Sequence, residues 1–280
     1  MSTALRKLLP KQIRTHLKKL YFGLLDVQEW DRDIQRYPGL GWYVHPKAYR
    51  NRLRLQQFKD FHKGERCFII GNGPSLNCMS LTPLRNEFCF GLNRIYLLFP
   101  KIDFQTTYYI SVNRLIIEQT AEDICSLSMP KFISWQARHF TGFMENIFYI
   151  RDAFDGTDGF AENPTWRIWE GATVTYVAMQ LAFYMGFQQV ILIGVDHSFI
   201  SKGEPHQEII SQSDDPNHFD PSYFGKGFRW NLPDLKTSER FYILAKQYYQ
   251  SHGREILDAT VGGKLDIFQK VDFDSLFGTE

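Results

Sequence analysis

From residue 65 onward, seven short runs rich in Ile, Val, Phe and Tyr alternate with stretches of helical spacing, and this alternation limits the fold more tightly than any other feature of the chain. The runs fall at 66–71, 88–92, 106–112, 131–135, 147–150, 190–194 and 255–257, and the helical stretches are clearest at 172–186 and 235–252. Short apolar runs without polar alternation suit strands buried on both faces, as in parallel sheets. Joined by helices, they predict a Rossmann-like, doubly wound, mainly parallel α/β sheet. Gly186 and Gly253 stand where left-handed caps would close the two helices. Residues 61–280 read as one nucleotide-binding catalytic domain, and the long polar stretch at about 200–233, rich in Pro, Gly, Asp and His, reads as its lid.

The first 60 residues read as a basic helical arm and linker. Residues 1–63 carry a net charge of +9 and the remainder −8, which together give the near-neutral total of +1. Leu9, Ile13, Leu17 and Leu20 recur at helical spacing between Arg6, Lys7, Lys11, Arg14, Lys18 and Lys19. A basic amphipathic helix of this kind suits an anionic membrane surface, so residues 1–25 are expected to bind one peripherally. Residues 26–50, with Tyr37-Pro38-Gly39-Leu40-Gly41, read as linker, and 50–63 as a basic helix. No apolar run is long enough for a span, no secretory core is evident, and nucleic acid is not an expected partner. Cys67, Cys78, Cys89 and Cys125 have no metal-ligand spacing and are expected as buried free thiols in a reducing cytoplasm.

The chemistry-bearing residues cluster after strand ends. Phe68-Ile69-Ile70 runs into Gly71-Asn72-Gly73-Pro74-Ser75, a glycine-rich turn expected to hold phosphates on bare backbone N–H groups ahead of a helix N-terminus. The turn is neither a P-loop nor a full Gly-x-Gly-x-x-Gly. Asn93 and Asn113 follow two further strands, and in a parallel sheet their amides would share one edge with Asn72. Thr173 opens the apolar helix as cap or ligand contact. Asp196 and His197 close another strand, as sugar-binding carboxylate and candidate base. The lid carries Asp214, Asp215, His218, Asp220, Tyr223 and Lys226. These supply His218, then Lys226, as candidate bases, and three carboxylates that could hold a hard cation.

Ile-Gly-Asn-Gly-Pro-Ser-Leu, the Asn93 strand end, the Thr173 helix and Leu-Ile-Gly-Val-Asp-His together resemble the 6-hydroxymethylpterin diphosphokinase MptE-like family. They also resemble bacterial lipooligosaccharide sialyltransferases, and the likeness covers roughly residues 60–262. The sialyltransferase resemblance implies a CMP-sugar donor, no required metal, and donor contacts on Asn72, Ser75, Asn93, Asn113 and Thr173. It also implies departures: Lys226 stands where that family has its catalytic His, Ser198 where it has a lid tyrosine, and Gly171 where it has an arginine.

The expectation is a glycosyltransferase of cell-surface polysaccharide assembly. It would move a CMP-linked, sialic-acid-like sugar to a glycan or glycolipid acceptor, in the cytoplasm or on the inner membrane face. Two alternatives stand beside it: an ATP- and Mg²⁺-dependent pterin diphosphokinase using the Asp-rich lid, and a non-catalytic nucleotide-binding partner of a polysaccharide assembly complex.

Overall fold

The computed structural model describes residues 38–153, 156–200 and 203–278, with backbone alone for 38–40. The membrane-binding stretch expected at 1–25 lies outside the described residues. The chain forms two compact units, residues 1–50 and 51–280.

An eight-stranded parallel sheet is built from β1 (Arg66–Ile70), β2 (Phe88–Leu92), β3 (Tyr108–Ser111), β4 (Lys131–Ser134), β5 (Ile147–Ile150), β8 (Gln189–Ile193), β11 (Glu255–Asp258) and β12 (Gln269–Lys270). Two small sheets complete the strands: β6 (Asp152–Ala153) pairs with β7 (Ile168–Trp169), and β9 (Glu208–Ile210) with β10 (Arg229–Asn231). The helices are α1 (Pro38–Val44), α2 (Pro46–Leu55), α3 (Arg114–Gln119), α4 (Ala121–Ser126), α5 (Arg138–Thr141), α6 (Val174–Tyr184) and α7 (Leu235–Ser251).

The strand order β12-β11-β8-β1-β2-β3-β4-β5 places all seven expected strands side by side. The chain first builds outward from β1 to β5, then returns to lay β8, β11 and β12 on the other flank of β1. Connections therefore diverge between β1 and β8, and in such a sheet that divergence opens a crevice at the strands' carboxyl ends. The central strands are apolar because both faces are covered: Phe68, Ile69, Ile70, Ile191, Leu192 and Ile193 are all fully buried. Helix α6 is buried on every side and packs on β1, β2, β3 and α7, which explains its near-continuous apolar sequence. Gly186 and Gly253 do take positive φ, 92° and 67°, directly after α6 and α7.

Three expectations need correction. The Pro38-Gly39 region is helical rather than linker, because Pro38 and Pro46 each occupy the first position of a helix, where no N–H is needed. The basic helix expected at 50–63 is shorter and earlier, ending at Leu55 and passing into a 3₁₀ turn. Of the four free cysteines, Cys67 and Cys89 are buried, but Cys78 is exposed. No helix of the described residues is long and apolar enough to cross a membrane.

Candidate functional site

A cavity of about 320 Å³ opens at the carboxyl ends of β1, β2, β3 and β8, under a cover formed by residues 203–233. Asn72, Asn93, Asn113, Thr173, Asp196, His197, His218 and Tyr223 all line it, as do Gly71 and Gly73. The sequence thus identifies one real convergence. Pro74, Ser75 and Lys226 are not part of the lining.

Of the N–H groups of the glycine turn, expected as a phosphate cradle, those of Gly71, Gly73 and Ser75 are taken by the protein itself. Gly71 N–H donates to Ile193 O (2.8 Å), Gly73 N–H to Gly194 O (2.8 Å), and Ser75 N–H to Asp196 Oδ1 (3.1 Å). Ser75 Oγ donates to Asp196 Oδ2 at 2.6 Å, so serine and aspartate are occupied with each other. The glycines are needed for this contact. A Cβ on Gly73 would lie 1.7 Å from Asp196 Oδ2, and one on Gly71 would lie 2.3 Å from Gly194 O. A five-residue 3₁₀ turn, Pro74–Cys78, follows in place of the expected helix.

Hydrogen-bond donors come instead from side-chain amides. Asn93, held at φ 49°, accepts on Oδ1 from Ser111 Oγ at 3.1 Å. Asn113 caps α3, its Oδ1 accepting from Leu115 N–H (2.9 Å) and Ile116 N–H (3.3 Å). With both oxygens engaged, each side chain has its NH₂ group left to offer a ligand. Thr173 caps α6 and lies 3.4 Å from Tyr242 Oη. Asn72 differs, since its buried Oδ1 has no hydrogen-bond partner.

The cover, long and polar in sequence, is a packed structure. Phe219, Tyr223, Phe224, Trp230 and Leu232 are buried, and Phe224 stacks on both Phe228 and Trp230. Its centre is Asp215, which accepts from Asn217 N–H (2.8 Å), Phe224 N–H (3.0 Å) and His218 Nδ1 (2.7 Å). Burial alone would push this carboxyl up, but the His218 bond and charge and the two N–H donors together hold it below its ordinary value. The His218 ring stacks on Tyr223 at 3.9 Å with 9° between planes. Asp215 therefore fixes Nδ1 as the protonated nitrogen and leaves Nε2 as the acceptor. Two more acid–histidine pairs border the cavity: His197 Nε2 with Glu239 (2.8 Å) and His206 Nε2 with Asp234 (3.4 Å).

Lys226 is exposed and outside the lining, so it lacks the desolvation a basic lysine would need. The three lid carboxylates do not form a cation site. Asp215 is committed to His218 and backbone, and Asp220 pairs with Lys101 (2.7 Å) and Ser222. Among the described residues, no three His, Cys, Asp or Glu side chains gather as metal ligands.

Sequence reasoning missed Glu170, His206 and Asp234, all in the cavity wall. Glu170 stands alone before the Gly171 turn, His206 is one of many polar residues in the lid stretch, and Asp234 caps α7, accepting from Thr237 N–H. Burial, with Asp152 nearby, pushes Glu170 up to about 7, and burial pushes Asp152, bonded to Ser134 Oγ at 2.6 Å, up to about 6.

The family described as 6-hydroxymethylpterin diphosphokinase MptE-like matches residues 46–202. No curated protein matches. Among solved structures, the MAf glycosyltransferase from Magnetospirillum magneticum AMB-1 is similar at 12% identity and a TM-score of 0.48 over 79% of this chain. The chain spans 38% of that protein's length.

Proposed function

Because this chain belongs to the 6-hydroxymethylpterin diphosphokinase MptE-like family, we propose that it is a transferase of nucleotide-linked substrates, and specifically a glycosyltransferase using a CMP-linked sugar. The observation that carries this reading is the His218–Asp215 pair, set in the wall of a strand-end cavity that also bears the Asn93 and Asn113 amides.

In this reaction the acceptor hydroxyl oxygen attacks the anomeric carbon while the carbon–oxygen bond to phosphate breaks. The hydroxyl proton passes to His218 Nε2, and Asp215 stabilises the imidazolium that forms. The bonding pair leaves with the nucleotide phosphate, whose growing charge meets the NH₂ groups of Asn93 and Asn113, the Thr173 hydroxyl and His197. Tyr223 holds the base ring in plane, and Asp196 keeps the turn in place through Ser75.

The charge of the cavity favours a monophosphate link. None of its described lining residues is Lys or Arg, while Glu170, Asp196 and Asp234 are acidic. A CMP-sugar brings one phosphodiester charge, which neutral donors can meet, whereas a triphosphate brings several. ATP-dependent pterin diphosphorylation is the second reading, and the flat rings of Phe199, Tyr223, Phe224 and Trp230 in the wall favour it. The carboxylates assigned to its Mg²⁺ do not gather as such a site among the described residues. The proposed setting is cell-surface glycan assembly on a glycan or glycolipid acceptor, in the cytoplasm, with residues 1–25 resting on an anionic membrane.

Phosphorus NMR of the full chain with CMP-, UDP- and GDP-sugars, water serving as acceptor, tests the assignment. CMP release is expected from the CMP-sugar, falling roughly 10²–10⁴-fold in His218→Asn while CMP still binds. Release confined to UDP- or GDP-sugars removes the cytidine assignment. Nucleotide binding without release from any of the three favours the non-catalytic partner.

A further inference from the structure

Glu170 sits in the turn between β7 and α6, and that turn has little freedom to move. Gly171 and Ala172 both take positive φ, 60° and 58°, and a Cβ on Gly171 would strike the rings of Tyr176 and Phe241. Behind the turn, Glu170 N–H donates to Ala153 O at 3.2 Å, tying it to the β6–β7 pair. The carboxylate is thereby held in the cavity wall, and among the described residues no side chain or backbone group donates to it. The other two wall carboxylates are satisfied: Asp196 by Ser75, and Asp234 by Thr237 N–H at 2.9 Å.

A partly buried carboxylate without a donor is a standing cost to the fold. Asp152, buried behind it, adds like-charge repulsion. No Lys or Arg of the lining offsets either effect. The Asn72 Oδ1 atom, buried in the same lining without a partner, is an independent second acceptor awaiting a donor. Two acceptors without partners, in a wall without a side chain of fixed positive charge, describe the group that the cavity takes in. It must donate hydrogen bonds, and it must not be an anion.

We propose that Glu170 is the specificity residue for the saccharide in this cavity, accepting hydrogen bonds from an amine or hydroxyl of that sugar and rejecting a sugar that presents a carboxylate there. The inference rests on the reading that a saccharide enters the cavity, and it departs from a sialic-acid-like donor. Amine and hydroxyl share the donor chemistry. They differ in charge: an ammonium meets an ionised Glu170 and gains a charge-assisted bond, whereas a hydroxyl gains an ordinary one.

Saturation-transfer NMR on the full chain distinguishes the sources. The probes are glucosamine, galactose and N-acetylneuraminate, each with and without CMP, on wild type, Glu170→Gln and Glu170→Leu. Wild type is expected to favour glucosamine or galactose over N-acetylneuraminate. If the amine is the contact, Glu170→Gln weakens glucosamine roughly tenfold and spares galactose. If the hydroxyl is the contact, Glu170→Gln is nearly silent and Glu170→Leu weakens both sugars. CMP affinity should hold in both variants, which also shows that they fold. Preference for N-acetylneuraminate in wild type, an unchanged ranking in both variants, or no saccharide signal at all overturns the proposal. If CMP fails to bind while the sugar ranking and its loss persist, the nucleotide reading falls and the Glu170 assignment stands.

Discussion

The turn after β1 and the cover above it border the same cavity, but the chain's own atoms fill the close approach that the turn's glycines allow, whereas the cover carries a histidine to the cavity wall. Gly71-Asn72-Gly73-Pro74-Ser75 looks like a ligand loop, yet its glycines are required by protein atoms. Strand β8 continues as Gly194 and Asp196, which press against the turn and accept from the N–H groups of Gly73 and Ser75. The cover, a polar lid with candidate bases in its sequence, buries an aromatic cluster and a carboxylate that aligns a histidine. The two regions are joined directly, with Phe219 N–H donating to Asn72 O (2.9 Å) and Asn77 Nδ2 to Phe219 O (2.9 Å). A glycine pair after a strand therefore reports close approach, and only the structure says whether a ligand or the chain itself approaches.

The widest separation of the two regions should come from His218→Asn. It is expected to lower nucleotide release by roughly 10²–10⁴-fold with little loss of fold, as followed by phosphorus NMR beside a thermal melt. A loss below tenfold would place the base elsewhere. Next in size is Gly73→Ala, which forces a methyl onto Asp196. Overpacking of this kind costs about 1–3 kcal/mol, so the melting temperature should fall by several degrees whether or not nucleotide is present. Gly225→Ala in the cover meets only ordinary contacts at 3.4 Å or more and should leave the melt unchanged. If Gly73→Ala instead keeps its stability and loses only nucleotide binding, the turn is a ligand cradle after all.

Asp215→Asn probes the cover alone. Because the folded carboxyl titrates below its ordinary value of 3.8, its stabilising contribution is present above that value and disappears as pH falls through the lower folded value. The melting-temperature gap between wild type and Asp215→Asn should therefore be full at pH 7 and shrink below about pH 4. A gap that does not change with pH would mean that the carboxylate's charge is not what matters. Glu170→Gln is the smallest expected effect and has the opposite sign. Glu170 is pushed up to about 7 from 4.5, so its penalty is absent below 4.5, grows as pH rises, and is complete above about 7. The variant should melt a few degrees above wild type at pH 8 and level with it at pH 4.5. Equal melts at both values would show that Glu170 is not strained in the empty site.

Most of the sheet was legible because buried parallel strands leave an unmistakable record, such as Cys67-Phe68-Ile69-Ile70 and Val190-Ile191-Leu192-Ile193. Strand β12 left none, since Gln269 and Lys270 are two exposed edge residues. The convergence of Asn72, Asn93 and Asn113 was legible from strand order alone, because a parallel sheet puts all such ends on one edge. Their individual duties were not. Asn113 is a helix cap, and Asn93 is a left-handed residue bonded to Ser111, eighteen positions away on the neighbouring strand. Asp215 was hidden in a string of polar residues, and its role depends on Phe224 nine positions away. Glu170 gave no local signal, because what marks it is the lack of a donor in three dimensions.

Calorimetric titration of the full chain with CMP, UMP and ATP, with and without Mg²⁺, is the most direct test of the central claim. The account predicts that CMP binds best, without requiring Mg²⁺, and that Asn93→Ala and Asn113→Ala each weaken it several-fold by removing a donor to the phosphate. Tighter binding of ATP with Mg²⁺, or CMP affinity untouched by both asparagine variants, would contradict it.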